Sequence, residues 1–198
     1  MRLAILADLM ASADAPRNAS DPAAQLQRLQ DENLELRQKI ADLDAMAHED
    51  QLLCIPNRRG LMRELGRLIS RHVRYGEESA LLFLDCDGLK AINDRHGHVA
   101  GDAALSHVAR LLTEQLRASD VLARYGGDEF CVLLAHVDEG TARDTAARLA
   151  AAVEASGFTY EGQAVPLSVT IGVAPIGSDD DAQTILKRAD QDMYGKKG

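Results

Sequence analysis

"VLARYGGDEFCVLLA", residues 121–135, decides how the rest of the chain is read. Two apolar runs flank Gly126 and Gly127, and the glycines are followed at once by Asp128 and Glu129. Apolar run, glycine pair, apolar run is the pattern of a β-hairpin. Glycine at its tip allows backbone angles closed to other residues, and lets a ligand or a second chain approach closely. Two adjacent carboxylates there repel each other unless something positive lies between them, and the expected cation is a metal ion.

Outward from the hairpin, residues 49–198 alternate helical and strand-like runs. "RRGLMRELGRLISRHV" (58–73), "DAALSHVARLLTEQLRA" (102–118, opened by Asp102) and "TARDTAARLAAAVEA" (141–155) have helical periodicity. So does "DDDAQTILKRADQDMY" (179–194), with acids at its N-terminus, where the helix dipole favours them. "ALLFLDCD" (80–87) is a continuous apolar run closing on acids, which reads as a buried strand, and "VPLSVTIGVAPI" (165–176) is a strand region. A mixed α/β (α+β) domain follows, with a central β-sheet flanked by helices.

The strand puts Asp85 and Asp87 on one side by its period of two. Aspartates at strand ends are ordinary turn formers and caps. If this strand neighbours the hairpin, however, Asp85 converges with Asp128 and Glu129. Three carboxylates from two strand ends form a hard-oxygen site suited to Mg²⁺ and phosphate chemistry. In "DGLKAINDRHGHVAGD" (87–102), Asn93, Asp94, His98 and Asp102 are crowded between glycines. This stretch reads either as a loop with helix caps or as a nucleobase pocket. A carboxylate accepts from both N1–H and N2–H₂ of guanine, a donor pair adenine lacks, and an amide beside it can donate and accept. His98 is the weaker candidate, since a lone histidine is more often a structural hydrogen bonder.

The chain has 198 residues, 46% hydrophobic and 27% charged, enough for one domain with a real core plus extra length. A net charge of -9 argues against a broad nucleic-acid or anionic-membrane surface, and leaves a polyanionic substrate possible through a divalent cation. Cys54, Cys86 and Cys131 are odd in number and widely spaced, as in a reduced, cytoplasmic protein. "MRLAILADLM" is too short to span a bilayer, and "DLMASADAP" fits a signal-cleavage site poorly. Residues 1–20 are expected to be a short amphipathic helix or disordered. Asp21 can then cap a helix with Pro22 at its first position. Through residues 21–48, Leu26, Asn33, Ile40 and Ala47 take one heptad core position and Leu29, Leu36 and Leu43 the other. The polar Asn33 favours a parallel two-stranded coil, with Glu32 facing Arg37 and Lys39 facing Asp44 of a partner chain. Such a stripe also suits a single amphipathic helix packed on its own domain, but the heptad with its polar Asn33 favours reading this rod as a dimerisation device.

"RYGGDEF" (124–130), "LDCDGLKAINDRHGHVAGD" (84–102) and "LCIPNRR" (53–59), in this order and spacing, resemble the GGDEF family of bacterial diguanylate cyclases from about Asp50 to the chain end. The resemblance implies a central sheet like the palm domain of nucleotidyl cyclases, and a homodimer that joins two GTP into cyclic di-GMP and releases pyrophosphate. It implies Mg²⁺ or Mn²⁺, two per half-site, held by Asp85, the Cys86 carbonyl, Asp128 and Glu129, with Asp128 as the base. Substrate positions would be Gly88, Leu89, Lys90, Asn93, His98, Asp102, Gly126, Gly127 and Lys197, with Asn93 and Asp102 on guanine and the 86–90 stretch along the phosphates. Arg117 and Asp120 of "RASD", with Arg148, match a site at which the product inhibits. The alternative is a catalytically silent receptor for cyclic di-GMP. "LLC" (52–54) stands where the family usually has Leu-Thr-Gly, and Leu89 where many members have Phe. Members continue past the lysine matched by Lys197 to a phosphate-binding arginine, so a chain ending at 198 is expected to bind GTP less tightly.

Overall fold

The structure, a computed structural model, describes residues 22–196. Residues 1–21 and Lys197 therefore lie outside it, and with them the expected amphipathic segment, the Asp21 cap and the Lys197 phosphate contact. Contacts divide the chain into two units, 1–44 and 45–198. Helix α1 runs Pro22–His48, with Pro22 as its first residue, where the missing N–H costs nothing. At 1.5 Å per residue it is about 40 Å long. Its seam residues Leu26, Leu29, Leu36, Ile40 and Leu43 are all exposed in the single chain. No described helix is long and apolar enough to cross a membrane.

The second unit begins in the last turn of α1. Asn57 holds the entry: its amide donates to the carbonyls of Ala47 and Glu49, while its side-chain oxygen accepts from the N–H groups of Arg59 and Gly60. Helix α2, Arg58–Tyr75, starts on that cap and ends at Gly76, which adopts the left-handed backbone (φ 69°) that glycine tolerates. Then follow β1 (Ser79–Asp87), α3 (Leu89–His96), α4 (His98–Gln115), β2 (Val121–Arg124), β3 (Glu129–Ala135) and α5 (Glu139–Glu154). A short hairpin of β4 (Thr159–Tyr160) and β5 (Gln163–Ala164), the strand β6 (Ser168–Pro175) and helix α6 (Ala182–Tyr194) complete it.

The main sheet has the order β2-β3-β1-β6, and its pairings are all antiparallel. β1 lies in the interior of the sheet and is covered on both faces, which is why its sequence is apolar without alternation. Ala80, Leu82 and Leu84 enter one core with residues of α3, α4 and α5. Leu81 and Phe83 enter the other with residues of α2 and α6.

Two sequence expectations are corrected. Asp102 does not open α4. The helix starts at His98 after Gly97, whose φ of 85° breaks the chain, so residues 87–102 form helix, glycine, helix, not a loop. Leu89 and Ile92 are buried and hold α3 against the core. The second correction concerns 165–176: β6 begins only at Ser168, and the β4–β5 hairpin just upstream was not anticipated.

Candidate active site

The β1–β3 pairing sets Asp85 opposite Glu129, at the end of the ladder. One step further the Cys86 N–H donates to the Asp128 carbonyl at 3.0 Å. Within a strand the N–H and C=O of one residue leave on the same edge, so the Cys86 carbonyl is also turned toward Asp128. Asp85 and Glu129 alternate with the core residues Leu84 and Phe130, so both carboxylates are on the α2/α6 side of the sheet. Asp85, Glu129, the Cys86 carbonyl and Asp128 thus lie at one strand end.

Electrostatics agrees. Burial first, then the charges of Asp85, Asp128 and Asp87, push the Cys86 thiol up to about 12, with Arg124 acting weakly against them. The thiol stays protonated and faces the core, so any part Cys86 plays in the site belongs to its backbone.

The tip differs from the sequence expectation in one respect. Neither Gly126 nor Gly127 adopts a left-handed backbone. At Gly126 the Glu129 carboxylate lies where a Cβ would sit, so a side chain there would have to displace that carboxylate, whereas the space at Gly127 is open. The turn closes through the Glu129 carbonyl, which accepts from Tyr125 N–H at 2.8 Å and Gly126 N–H at 3.2 Å.

Arg124, not singled out from the sequence, ties this tip together. Its Nε donates to the Gly126 carbonyl at 3.1 Å and its Nη2 to the Gly127 carbonyl at 2.7 Å, while Nη1 pairs with Asp50 at 3.2 Å. Asp50 also accepts from the N–H groups of Leu52 and Leu53, so the segment entering α2 is fastened to the glycine turn. An arginine two residues before the glycine pair was the available signal. Its carboxylate partner lies far away in sequence, so the pair was not legible. Beside Tyr125, Arg58 stacks on the ring at 4.6 Å and Phe83 meets its edge at 5.2 Å.

Among the described residues no three His, Cys, Asp or Glu side chains form a ready metal cage. The expected convergence of three side-chain carboxylates is therefore incomplete. Mg²⁺ fits nonetheless, because it is commonly held by one or two carboxylates with substrate phosphates and water. Asp85, the Cys86 carbonyl and the tip acids supply such an incomplete set.

Next to the acids, Gly88 adopts φ 73° and opens α3 with no side-chain cap, so the first-turn N–H groups are left for an anion. Leu89 is buried, and so can offer a ligand only its backbone, while Lys90 is exposed. Asn93 packs on Gly101, where any Cβ would strike its Oδ1, and that buried oxygen has no hydrogen-bond partner. Asn93 is thereby held against the residue that precedes Asp102, which is exposed one turn into α4. His98 is exposed at the start of α4.

The "RASD" residues occupy a separate surface. Asp120 does not pair with the Arg117 guanidinium. Its carboxylate accepts from the N–H of Arg117 at 3.0 Å and of Ala135 at 3.4 Å, leaving the exposed Arg117 side chain outward. Arg148 donates to the carbonyl and side-chain oxygen of Gln115, two residues before Arg117. Nearby, Ser119 lines a cavity of about 660 Å³ with Arg63, Arg67, Arg71 and His136, well apart from the acids.

Comparison with known proteins follows the same lines. The profile of a family described as "Diguanylate cyclase, GGDEF domain" matches residues 47–198. The chain is 42% identical over 170 residues to the diguanylate cyclase TpbB of Pseudomonas aeruginosa, covering 84% of this chain and 37% of that protein. It is 35% identical over 165 residues to the response regulator PleD of Caulobacter vibrioides, covering 82% and 36%. It therefore spans little more than a third of these relatives' length. Among solved structures, the coiled coil and GGDEF domain of DgcB from Caulobacter crescentus, in complex with c-di-GMP, matches with a TM-score of 0.82. The identity is 24%, over 88% of this chain and 93% of that one, which is a likeness of fold. The GGDEF domain of Pseudomonas aeruginosa TpbB matches with a TM-score of 0.70 and 39% identity, over 76% and 88%.

Proposed function

Because this chain belongs to the GGDEF diguanylate cyclase family, we propose that it condenses two GTP into cyclic di-GMP and two pyrophosphates, as a homodimer in which each subunit carries one GTP. The observation that carries this reading is the β1–β3 register, which sets Asp85 against Glu129 and Cys86 against Asp128.

In this reading Asp102 accepts from N1–H and N2–H₂ of guanine, and the Asn93 amide completes the edge. The open N-terminus of α3, with Lys90 and Lys197, takes the phosphates. Asp85, the Cys86 carbonyl, Asp128 and Glu129 hold Mg²⁺ or Mn²⁺, two ions per half-site. When bound, the metal lowers the pKa of the attacking 3′-hydroxyl and offsets charge developing on the phosphoryl oxygens and the pyrophosphate. Asp128 takes the proton of the 3′-oxygen, and Arg124 keeps the tip that carries Asp128 in place. The open space at Gly127 admits the nucleotide of the facing subunit.

One subunit supplies one 3′-hydroxyl and one α-phosphate, so two must meet. The α1 seam, pairing in parallel with a second copy, holds two half-sites at high effective concentration, on the order of mM for short links. Product binds at Arg117, Arg148 and Asp120, where the two guanidinium groups suit its phosphates and stacked guanines and the carboxylate accepts from guanine, and slows turnover.

The test is to incubate the protein with GTP and Mg²⁺ and chromatograph the nucleotides. Cyclic di-GMP supports the reading. Binding of cyclic di-GMP with no synthesis from GTP replaces it with the silent receptor.

A further inference from the structure

Asp87 is the last residue of β1 and shares a face with Asp85, so strand periodicity alone makes it a second candidate for the metal. The hydrogen bonds point elsewhere. Thr170 Oγ1 donates to Asp87 Oδ1 at 2.9 Å and to Oδ2 at 3.2 Å, and Ser168 Oγ donates to Oδ2 at 2.9 Å. Both hydroxyls come from β6, where Ser168 stands opposite Asp87 and Thr170 opposite Asp85. Both carboxylate oxygens of Asp87 are thus engaged sideways with the neighbouring strand, in a half-buried position.

The next residue is Gly88, where the chain turns left-handed out of the sheet into the uncapped α3. Beyond the β1–β6 backbone ladder, which runs to Asp87–Ser168, the Ser168 and Thr170 hydroxyls add side-chain hydrogen bonds at the last residue before that turn, while the buried Leu89 and Ile92 hold α3 against the core. We infer that Asp87 is a positioning residue, which with Ser168 and Thr170 ties the end of β1 to β6 and so sets the Gly88 turn and the open N–H groups of α3 relative to Asp85. It is not a metal ligand. The inference rests on the reading of this site as one for GTP. It assigns a role to Asp87, Ser168 and Thr170 within that site.

Asparagine distinguishes the two roles. Its amide keeps the shape and can exchange hydrogen bonds with two hydroxyls, whose protons rotate to suit, but it lacks the charge a hard cation needs. Four variants are therefore compared with the wild type: Asp87→Asn, Asp87→Ala, Asp85→Asn and the double Ser168→Ala, Thr170→Val. The readouts are KM for GTP against kcat, calorimetric binding of a non-hydrolysable GTP analogue, and binding of Mn²⁺ followed by its electron spin resonance.

Losing the tie should raise KM and weaken analogue binding by about tenfold in Asp87→Ala and in the hydroxyl double variant. Asp87→Asn should stay within about threefold of wild type. Mn²⁺ binding should survive in all three and be lost in Asp85→Asn. If Asp87→Asn loses Mn²⁺ as Asp85→Asn does, Asp87 is a ligand and the inference is wrong. It also fails if the double variant binds the analogue like wild type. Should Asp87→Ala not fold, the double variant and Asp87→Asn carry the decision. Wild-type protein that binds the analogue but makes no cyclic di-GMP sinks the cyclase reading and leaves this test intact. Wild-type protein that does not bind the analogue sinks both.

Discussion

A single contact, Asn93 Oδ1 against Gly101, makes a sharp case at the scale of residues. The oxygen is buried and unpartnered, and a Cβ at 101 would occupy its place. Gly101→Ala should displace the amide and raise KM for GTP at least about tenfold, the size expected when a polar recognition group is misplaced, with circular dichroism unchanged. Thiol chemistry gives a second outcome. Burial pushes Cys86 up to about 12 and Cys131 well above the usual thiol range, whereas Cys54 is exposed. Raised values keep those two thiols protonated through neutral and mildly alkaline pH, so a native sample alkylated at about pH 8 should modify Cys54 alone. Mass spectrometry after denaturation should find all three. Among residues, the positions of Asp85, Asp128 and Glu129 at two neighbouring strand ends were legible from the apolar runs and the glycine pair. The roles of Asp87 and Arg124 were not, because their partners Thr170 and Asp50 come from distant segments and no local pattern announces them.

Among the elements, the glycine turn depends on the Arg124–Asp50 pair, whose side chains are mostly withdrawn from solvent. Truncating either partner leaves a half-buried charge, at a cost of about 1–3 kcal/mol. Arg124→Gln and Asp50→Asn should each lower the unfolding midpoint and kcat. A double-mutant cycle between them should show coupling of about 0.5–3 kcal/mol, where independent sites would give none. The helix caps set an acid dependence. The N–H of Thr141 holds Asp138, and that of Thr184 holds Asp181, below the ordinary carboxylate value of 3.8. A depressed folded value means the stabilisation is present above the unfolded pKa and fades as pH falls through the folded one. Asp138→Asn should therefore flatten the loss of melting temperature as pH falls below about 4. Long periodic helices and the apolar β1 were readable as such. The α3–Gly97–α4 break was not, since α3 has eight residues and only two buried apolar side chains, too little for periodicity to register. The β4–β5 hairpin had its signal in Glu161–Gly162, both with positive φ, but strands of two residues have no pattern to read.

For the whole molecule, the exposed seam of α1 is what a second copy would cover. A leucine-rich stripe left in water is unfavourable by roughly 25 cal/mol per Å² of apolar surface, which pairing recovers. Replacing Asn33 and Leu36 by glutamate should halve the mass seen by sedimentation and make synthesis depend on protein concentration. Full activity in a dilute monomer would remove the rod from the account. The heptad was legible because it is local. The surroundings of the candidate site were less legible, because they are assembled from strand ends and helices distant in sequence.

If the acids at the glycine tip form the metal-dependent centre that joins the nucleotides, the rate of pyrophosphate release from GTP depends on both them and the metal. Measured across a Mg²⁺ titration, it should saturate for the wild-type protein, vanish with chelator, and fall by at least about 100-fold at every Mg²⁺ concentration in Asp128→Asn, Glu129→Gln. A variant that keeps more than about a tenth of the rate, or a wild-type rate indifferent to Mg²⁺, would contradict it.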